Sequence, residues 1–169
     1  QLKEYDTRYK LNHIVIASPA FWKEELIDLV PDLKKKIIPA TCSSASLNGI
    51  NEVLKRPEVK QALKEERVSS EIVAVEKLLE EISKQSLAAY GLKEVTEASD
   101  AGAIENLLIT DSLIQKSRQE NKYQKIESIM KNVDANKGKI TIISSEHDGG
   151  KKLDGLGGIG AILRYRLNY

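Results

Sequence analysis

Hydrophobic patterns of strand and helix type alternate along these 169 residues, which predicts an α/β fold built as two domains. Three observations carry the prediction. Short apolar runs end in turn residues, as in His13-Ile-Val-Ile-Ala17 before Ser18-Pro19. From Glu58 to Lys84 there is neither Gly nor Pro, and Val68, Ile72, Val75, Leu79 and Ile82 step by four and three along one helical face. The charged break Lys64-Glu-Glu-Arg67 precedes that stripe and sets a boundary, giving domains at 1–67 and 68–169.

The elements follow in order. The run at 13–17 is a strand. Phe21, Trp22, Leu26, Leu29 and Val30 have helical spacing, and Pro31 ends that helix. Lys36-Ile-Ile38 leads a second strand into the polar loop Cys42–Asn48, which Gly49 closes. Ile50, Val53 and Leu54 form a short helix, and Pro57 suits the first turn of the long one, whose charges are expected to face solvent. Leu87–Tyr90 is a strand, and Leu92, Val95 and Ala98 mark a helix stopped by Gly102. Ile104–Thr110 is a buried strand. Tyr123, Ile126, Met130 and Val133 trace a helix, and Lys139–Ser144 a strand. A Gly/Lys/Asp-rich loop then leads to a terminal strand, Ile159–Leu167.

Composition excludes several classes of function. The 26 basic and 25 acidic residues nearly cancel, so no global attraction to nucleic acid or membrane is expected, although a local basic patch is compatible with the total. One cysteine, Cys42, permits no internal disulfide framework and fits a reducing compartment. No leader or membrane-length apolar run occurs, which reads as a cytoplasmic protein without a membrane partner. The chain starts at Gln1 and its one methionine is Met130, so it reads as a piece of a longer protein. Aromatic residues make up 5%, too few for an extended base-stacking platform.

Local motifs offer no enzyme. Cys42, His13 and His147 are too scattered for a metal motif, so neither metal nor cofactor is expected. There is no nucleophile elbow and no phosphate loop. Gly155 to Gly160 match the spacing of a dinucleotide loop, but a strand follows where that fingerprint needs a helix. Gly157, Gly158 and Gly160 are read instead as structural, letting a strand approach its neighbours closely. His147 follows a strand end, where α/β sites gather. Capping the next helix is preferred to catalysis, because no second residue supports a catalytic role. Glu76, Glu80 and Glu81 read as solvent-facing. Arg8 and Lys10 near the start, and Lys34 and Lys35 before the second strand, fit either a solvated face or RNA contact.

Four ordered motifs resemble the Pelota family, paralogues of class-1 translation termination factors. They are Leu87-Ala-Ala-Tyr90-Gly91-Leu-Lys-Glu-Val95, Ala101-Gly-Ala-Ile-Glu-Asn-Leu-Leu-Ile109-Thr-Asp111, Ile143-Ser-Ser-Glu-His147-Asp-Gly-Gly150 and Leu156-Gly-Gly-Ile-Gly-Ala-Ile-Leu-Arg-Tyr-Arg166. The resemblance implies a central domain of ribonuclease-H-like topology at 1–67. It implies at 68–169 an α/β sandwich related to kink-turn-binding ribosomal proteins. The family's N-terminal Sm-like domain, credited with metal-dependent endonuclease activity, is not in this chain.

Termination factors carry Gly-Gly-Gln, whereas the two glycine pairs here continue as Gly149-Gly-Lys151 and Gly157-Gly-Ile159. The resemblance therefore implies a non-catalytic, tRNA-mimicking adaptor in ribosome rescue and no-go mRNA decay. It would bind an elongation-factor-1-alpha-like GTPase, a ribosome-recycling ATPase and the rRNA of a stalled ribosome. Leu163, Arg164 and Tyr165 are the implied partner-binding residues, and Arg8, Lys10, Lys34, Lys35 and Ser44 the RNA or ribosome contacts. The chain has Pro19-Ala-Phe21 where relatives often carry Pro-Gly-Phe, and Ser43-Ser-Ala-Ser46 where they carry a Gly/Arg-rich loop. An RNA-binding module of the kink-turn type is the alternative, and a nuclease the third.

Overall fold

The computed structural model describes residues 1–167, in which helices and strands alternate and form two compact units, Gln1–Arg67 and Val68–Tyr169. The first contains α1 (Leu2–Tyr9), β1 (Ile14–Ser18), α2 (Trp22–Asp28), a 3-10 helix (Pro31–Lys36), β2 (Ile37–Thr41) and α3 (Leu47–Val53). The strands pair in parallel, from Ile14 opposite Ile37 to Ser18 opposite Thr41. Ile14, Ile16 and Leu33 make a small core with Leu2, Leu11 and Ile27 beside it, while Ala40, Cys42, Val53 and Val59 make another. Helix α2 forms where its spacing predicts, yet Phe21, Trp22, Leu26 and Leu29 are exposed. Gly49 lies inside α3 and does not close the loop. A Cβ there would come within 1.9 Å of the Ser44 carbonyl oxygen, so the helix can start early only with glycine at this position.

Helix α4 (Pro57–Ser83) runs through the division between the units. Its buried stripe in the second unit differs from the expected one: Glu71, Val75 and Leu78 are buried, so the charges of this helix do not all face solvent. The second unit continues with β3 (Ala88–Tyr90), α5 (Gly91–Asp100), β4 (Ile104–Thr110), α6 (Asp111–Gln119), α7 (Tyr123–Ala135), β5 (Lys139–Ile143), α8 (Asp148–Gly155) and β6 (Ile159–Leu163).

The sheet order is β3-β6-β4-β5, with β4 and β5 parallel and β6 antiparallel to β3 and β4. Strand alternation divides the core into two layers. Leu107, Ile109, Ile159, Ala161 and Leu163 pack with α5 and α7 through Val95, Ile126 and Val133. Leu108 and Ile162 pack with Val75 and Leu78 of α4 and Leu153 of α8. Helices thus cover both faces, and each fully buried Leu or Ile contributes about 1.5–3 kcal/mol.

Three helices went unread in the sequence, α1, α6 and α8. Helix α6 is polar apart from Leu113 and Ile114, and Thr110 caps it by accepting from the Leu113 N–H. The expected glycine-rich loop before the last strand is largely helix α8, nucleated by its His147 cap. The terminal strand stops at Leu163 and not Leu167, because the chain bends at Arg164 and Tyr165.

Candidate functional site

The second unit gathers the loop-forming parts of all four motifs at one end of its sheet. Tyr90 pairs with Gly160, Ile109 with Ile159 and Thr110 with Ile143, so the segments after β3, β4 and β5 meet the segment before β6. Thr110 Oγ1 and Ser112 Oγ both donate to Asp154 Oδ1, at 2.6 and 2.7 Å. Burial pushes the Asp154 carboxyl up, but the hydroxyls of Thr110, Ser112 and Ser145 together outweigh it and hold the group below the ordinary aspartate range. A crevice of about 260 Å³ opens beside it, lined by Ser112, Leu113, Lys116, Asp154, Gly157 and Gly158.

Neighbouring loops are fixed by similar bonds. Asp111 Oδ1 accepts the Ser145 N–H at 3.0 Å, and Glu71 Oε2 accepts the Ser144 N–H at 2.7 Å. His147 Nδ1 accepts the Gly150 N–H, and its Nε2 lies 2.8 Å from Glu71 Oε2. Both ring nitrogens therefore serve structure, as the capping reading of His147 expects. Glu71 and Asp154 were missed in the sequence. Glu71 had a signal, a lone acid three and four residues ahead of Ala74 and Val75 on an apolar stripe. Asp154 had none.

Glycine conformation matters at the same end. Gly157 and Gly158 have φ of +96° and +75°, the left-handed region that glycine enters without strain. Gly160 has ordinary backbone angles but sits under α4, where a Cβ would meet Leu78 Cδ2 at 2.4 Å. The expected close approach to neighbouring backbone is not what fills these positions: the nearest atoms to a Cβ at Gly158 and at Gly160 belong to side chains.

Leu163, Arg164 and Tyr165 lie at the opposite end of β6. Leu163 is 1% exposed within the core, so its assignment to partner contact is corrected: its side chain cannot be reached in the folded unit. Arg164 and Tyr165 are exposed, but each closes a helix. Arg164 Nη2 donates to the Asn136 carbonyl after α7 at 2.7 Å, and Tyr165 Oη to the Ala101 carbonyl after α5 at 2.6 Å.

In the first unit two ion pairs tie α1 to the 3-10 helix, Lys3 with Asp32 at 2.6 Å and Lys36 with Asp6 at 2.8 Å. Arg8, Lys10, Lys34 and Lys35 project from these two elements, all exposed, and among the described residues none makes an ion pair. Arg8 stacks over Tyr9, whose ring stacks on Tyr5. Both elements precede the N-terminal ends of β1 and β2. Ser44 follows the C-terminal end of β2, bonded to Ser46, so a five-residue strand of about 16 Å separates it from the cations. Among the described residues no three His, Cys, Asp or Glu side chains gather as metal ligands, and no helix is long and apolar enough to cross a membrane.

Comparison with known proteins places these features. The family model described as eRF1 domain 3 matches residues 68–167. The chain is 40% identical to the Protein pelota homolog of Pyrococcus furiosus over 98% of its own length and 47% of that relative's. The chain thus spans about half the length of the curated relatives it matches. It is similar to the archaeal Pelota of a structure described as ribosome-bound archaeal Pelota and ABCE1, at 36% identity and TM-score 0.68, covering 99% of this chain and 47% of that one. It is also similar to Dom34 of S. cerevisiae, a translation termination-like factor involved in RNA quality control and interacting with Hbs1. There the identity is 33% and the TM-score 0.60, with 98% of this chain and 51% of that one covered.

Proposed function

We infer that this chain, which belongs to the Pelota family of release-factor-like proteins, supplies the adaptor part of a ribosome rescue factor. The observation that carries the reading is the match along 98% of the chain to a pelota homolog, joined to its likeness to a Pelota structure bound to the ribosome. The first unit faces ribosomal RNA through Arg8, Lys10, Lys34 and Lys35, because unpaired exposed cations on two clamped elements can meet phosphates without first breaking internal pairs. That arrangement supports RNA contact by the first unit over a kink-turn interaction by the second.

The second unit is the partner-docking part. Two relatives' known associations, Dom34 with Hbs1 and Pelota with ABCE1, support a GTPase that delivers the factor and an ATPase that follows it. Arg164 and Tyr165 belong to the GTPase surface on this reading, and Leu163 supports them from beneath. We assign no catalytic step to these residues, and the factor acts in no-go decay by occupying a stalled ribosome. Titrating the chain with its translational GTPase in a calorimeter tests the docking part. Saturable heat that Arg164→Ala reduces supports it, and no heat with the folded chain overturns it.

A further inference from the structure

We propose that the outer face of α2 is a docking surface for a basic amphipathic helix of another protein. Phe21 and Trp22 are 79% and 71% exposed, Leu29 is 76% exposed and Leu26 40%. Trp22, Leu26 and Leu29 step by four and three, so they form one stripe along the helix, while Ile27 and Val30 pack into the core of the first unit. Large apolar side chains grouped on a surface and rimmed by polar residues mark a place where another molecule sits. The turn before α2 holds this stripe in position. Ser18 Oγ accepts the Lys23 N–H at 3.0 Å, and Lys23 Nζ donates to the Ala20 carbonyl at 3.0 Å and pairs with Glu24 at 3.2 Å. Ala20 has φ of +51°, in the left-handed region that a side chain disfavours, so these bonds keep Phe21 and Trp22 outward against local strain.

Charge selects the occupant. The one lysine of α2 is taken up by the turn, its side chain only 13% exposed, so the charges this helix offers to solvent are acidic. Glu25 and Asp28 are exposed and make no ion pair among the described residues. Helical spacing places both on the flank of the stripe towards Phe21. An apolar stripe with unpaired acid beside it fits a helix that carries aliphatic residues on one face and Lys or Arg along the edge of that face. The same two acids repel a phosphate backbone, which disfavours RNA here. A second copy of this face would set Glu25 and Asp28 against their own kind across a two-fold axis.

Trp22 is the one tryptophan of the chain, so its fluorescence reads this face directly. The probe is a synthetic helix of leucine and lysine at amphipathic spacing, and a helix of leucine and glutamate in the same pattern is its control. The lysine helix is expected to move the Trp22 emission to the blue and to saturate, and the glutamate helix to leave it unchanged. Glu25→Lys combined with Asp28→Lys, and separately Phe21→Ser, are each expected to weaken the lysine helix by about tenfold or more. An unmoved spectrum, an equal response to the two helices, or variants that bind as the parent does overturn the inference. A blue shift that grows with the concentration of the chain alone overturns it in favour of a second copy. Trp22 shielded from iodide quenching in a protein of the relatives' full length overturns it in favour of the rest of that polypeptide. No ribosome enters the measurement, so its failure leaves the adaptor reading standing.

Discussion

His147 Nε2 lies 2.8 Å from Glu71 Oε2, joining the N-terminus of α8 to the middle of α4 through a carboxylate that is 3% exposed. The Gly150 N–H donates to the other ring nitrogen, which assigns the proton to Nε2. Nitrogen NMR is expected to show the Nε2–H tautomer at neutral pH. His147→Ala should cost about 2 kcal/mol in denaturant unfolding of the second unit, because it leaves the buried carboxylate short of a donor and α8 without its cap.

The glycines grade by what surrounds them. Gly150→Ala puts a Cβ 2.0 Å from the Ser144 carbonyl, a backbone atom that cannot give way, and should prevent normal folding of the second unit. Gly160→Ala meets the end of the Leu78 side chain and should cost about 1–3 kcal/mol. Gly155→Ala, in open space at the end of α8, should raise stability by about 0.5 kcal/mol. Thermal melts of the three variants check the order.

Asp154 gives a pH signature. Its folded-state pKa is depressed, so the stabilisation is fully present above the ordinary aspartate range and is lost as pH falls through the folded value. The stability difference between the parent and Asp154→Asn should therefore be constant near neutrality and shrink below about pH 4. Ser112→Ala removes one of the two donors to Oδ1 and should move the carboxyl titration upward in carbon NMR.

The end of β6 separates fold from binding. Leu163→Ala should cost about 2–5 kcal/mol, the loss expected for a buried leucine. Arg164→Ala and Tyr165→Phe each remove one hydrogen bond to a helix-end carbonyl and should cost about 0.5–1.5 kcal/mol. Only the last two can report a partner surface, and chemical denaturation beside binding data distinguishes the effects.

Strands and long helices were legible because their patterns are periodic: Ile104–Thr110 and Ile14–Ser18 announce themselves by runs, and α4 by spacing. Helices α6 and α8 were not, since both are short and polar and are fixed by caps from Thr110 and His147, whose partners are visible only in three dimensions. The site followed the same rule. The motifs identified the segments, but antiparallel pairing of β6 with β4 decides that Gly157 and Gly158 join Thr110 at one end while Arg164 goes to the other. Nothing in the spacing of Thr110, Ser112 and Asp154 shows that they meet.

The central claim is that the first unit's cations hold this chain on a ribosome with an open A site. Co-sedimentation with ribosomes stalled on truncated mRNA tests it most directly, comparing the parent with a variant in which Arg8, Lys10, Lys34 and Lys35 are changed to Glu. The account predicts that the parent sediments with the ribosomes, weakens as salt rises and is lost when tRNA fills the A site, and that the variant stays in the supernatant. Equal binding of parent and variant, or binding indifferent to A-site occupancy, would contradict it.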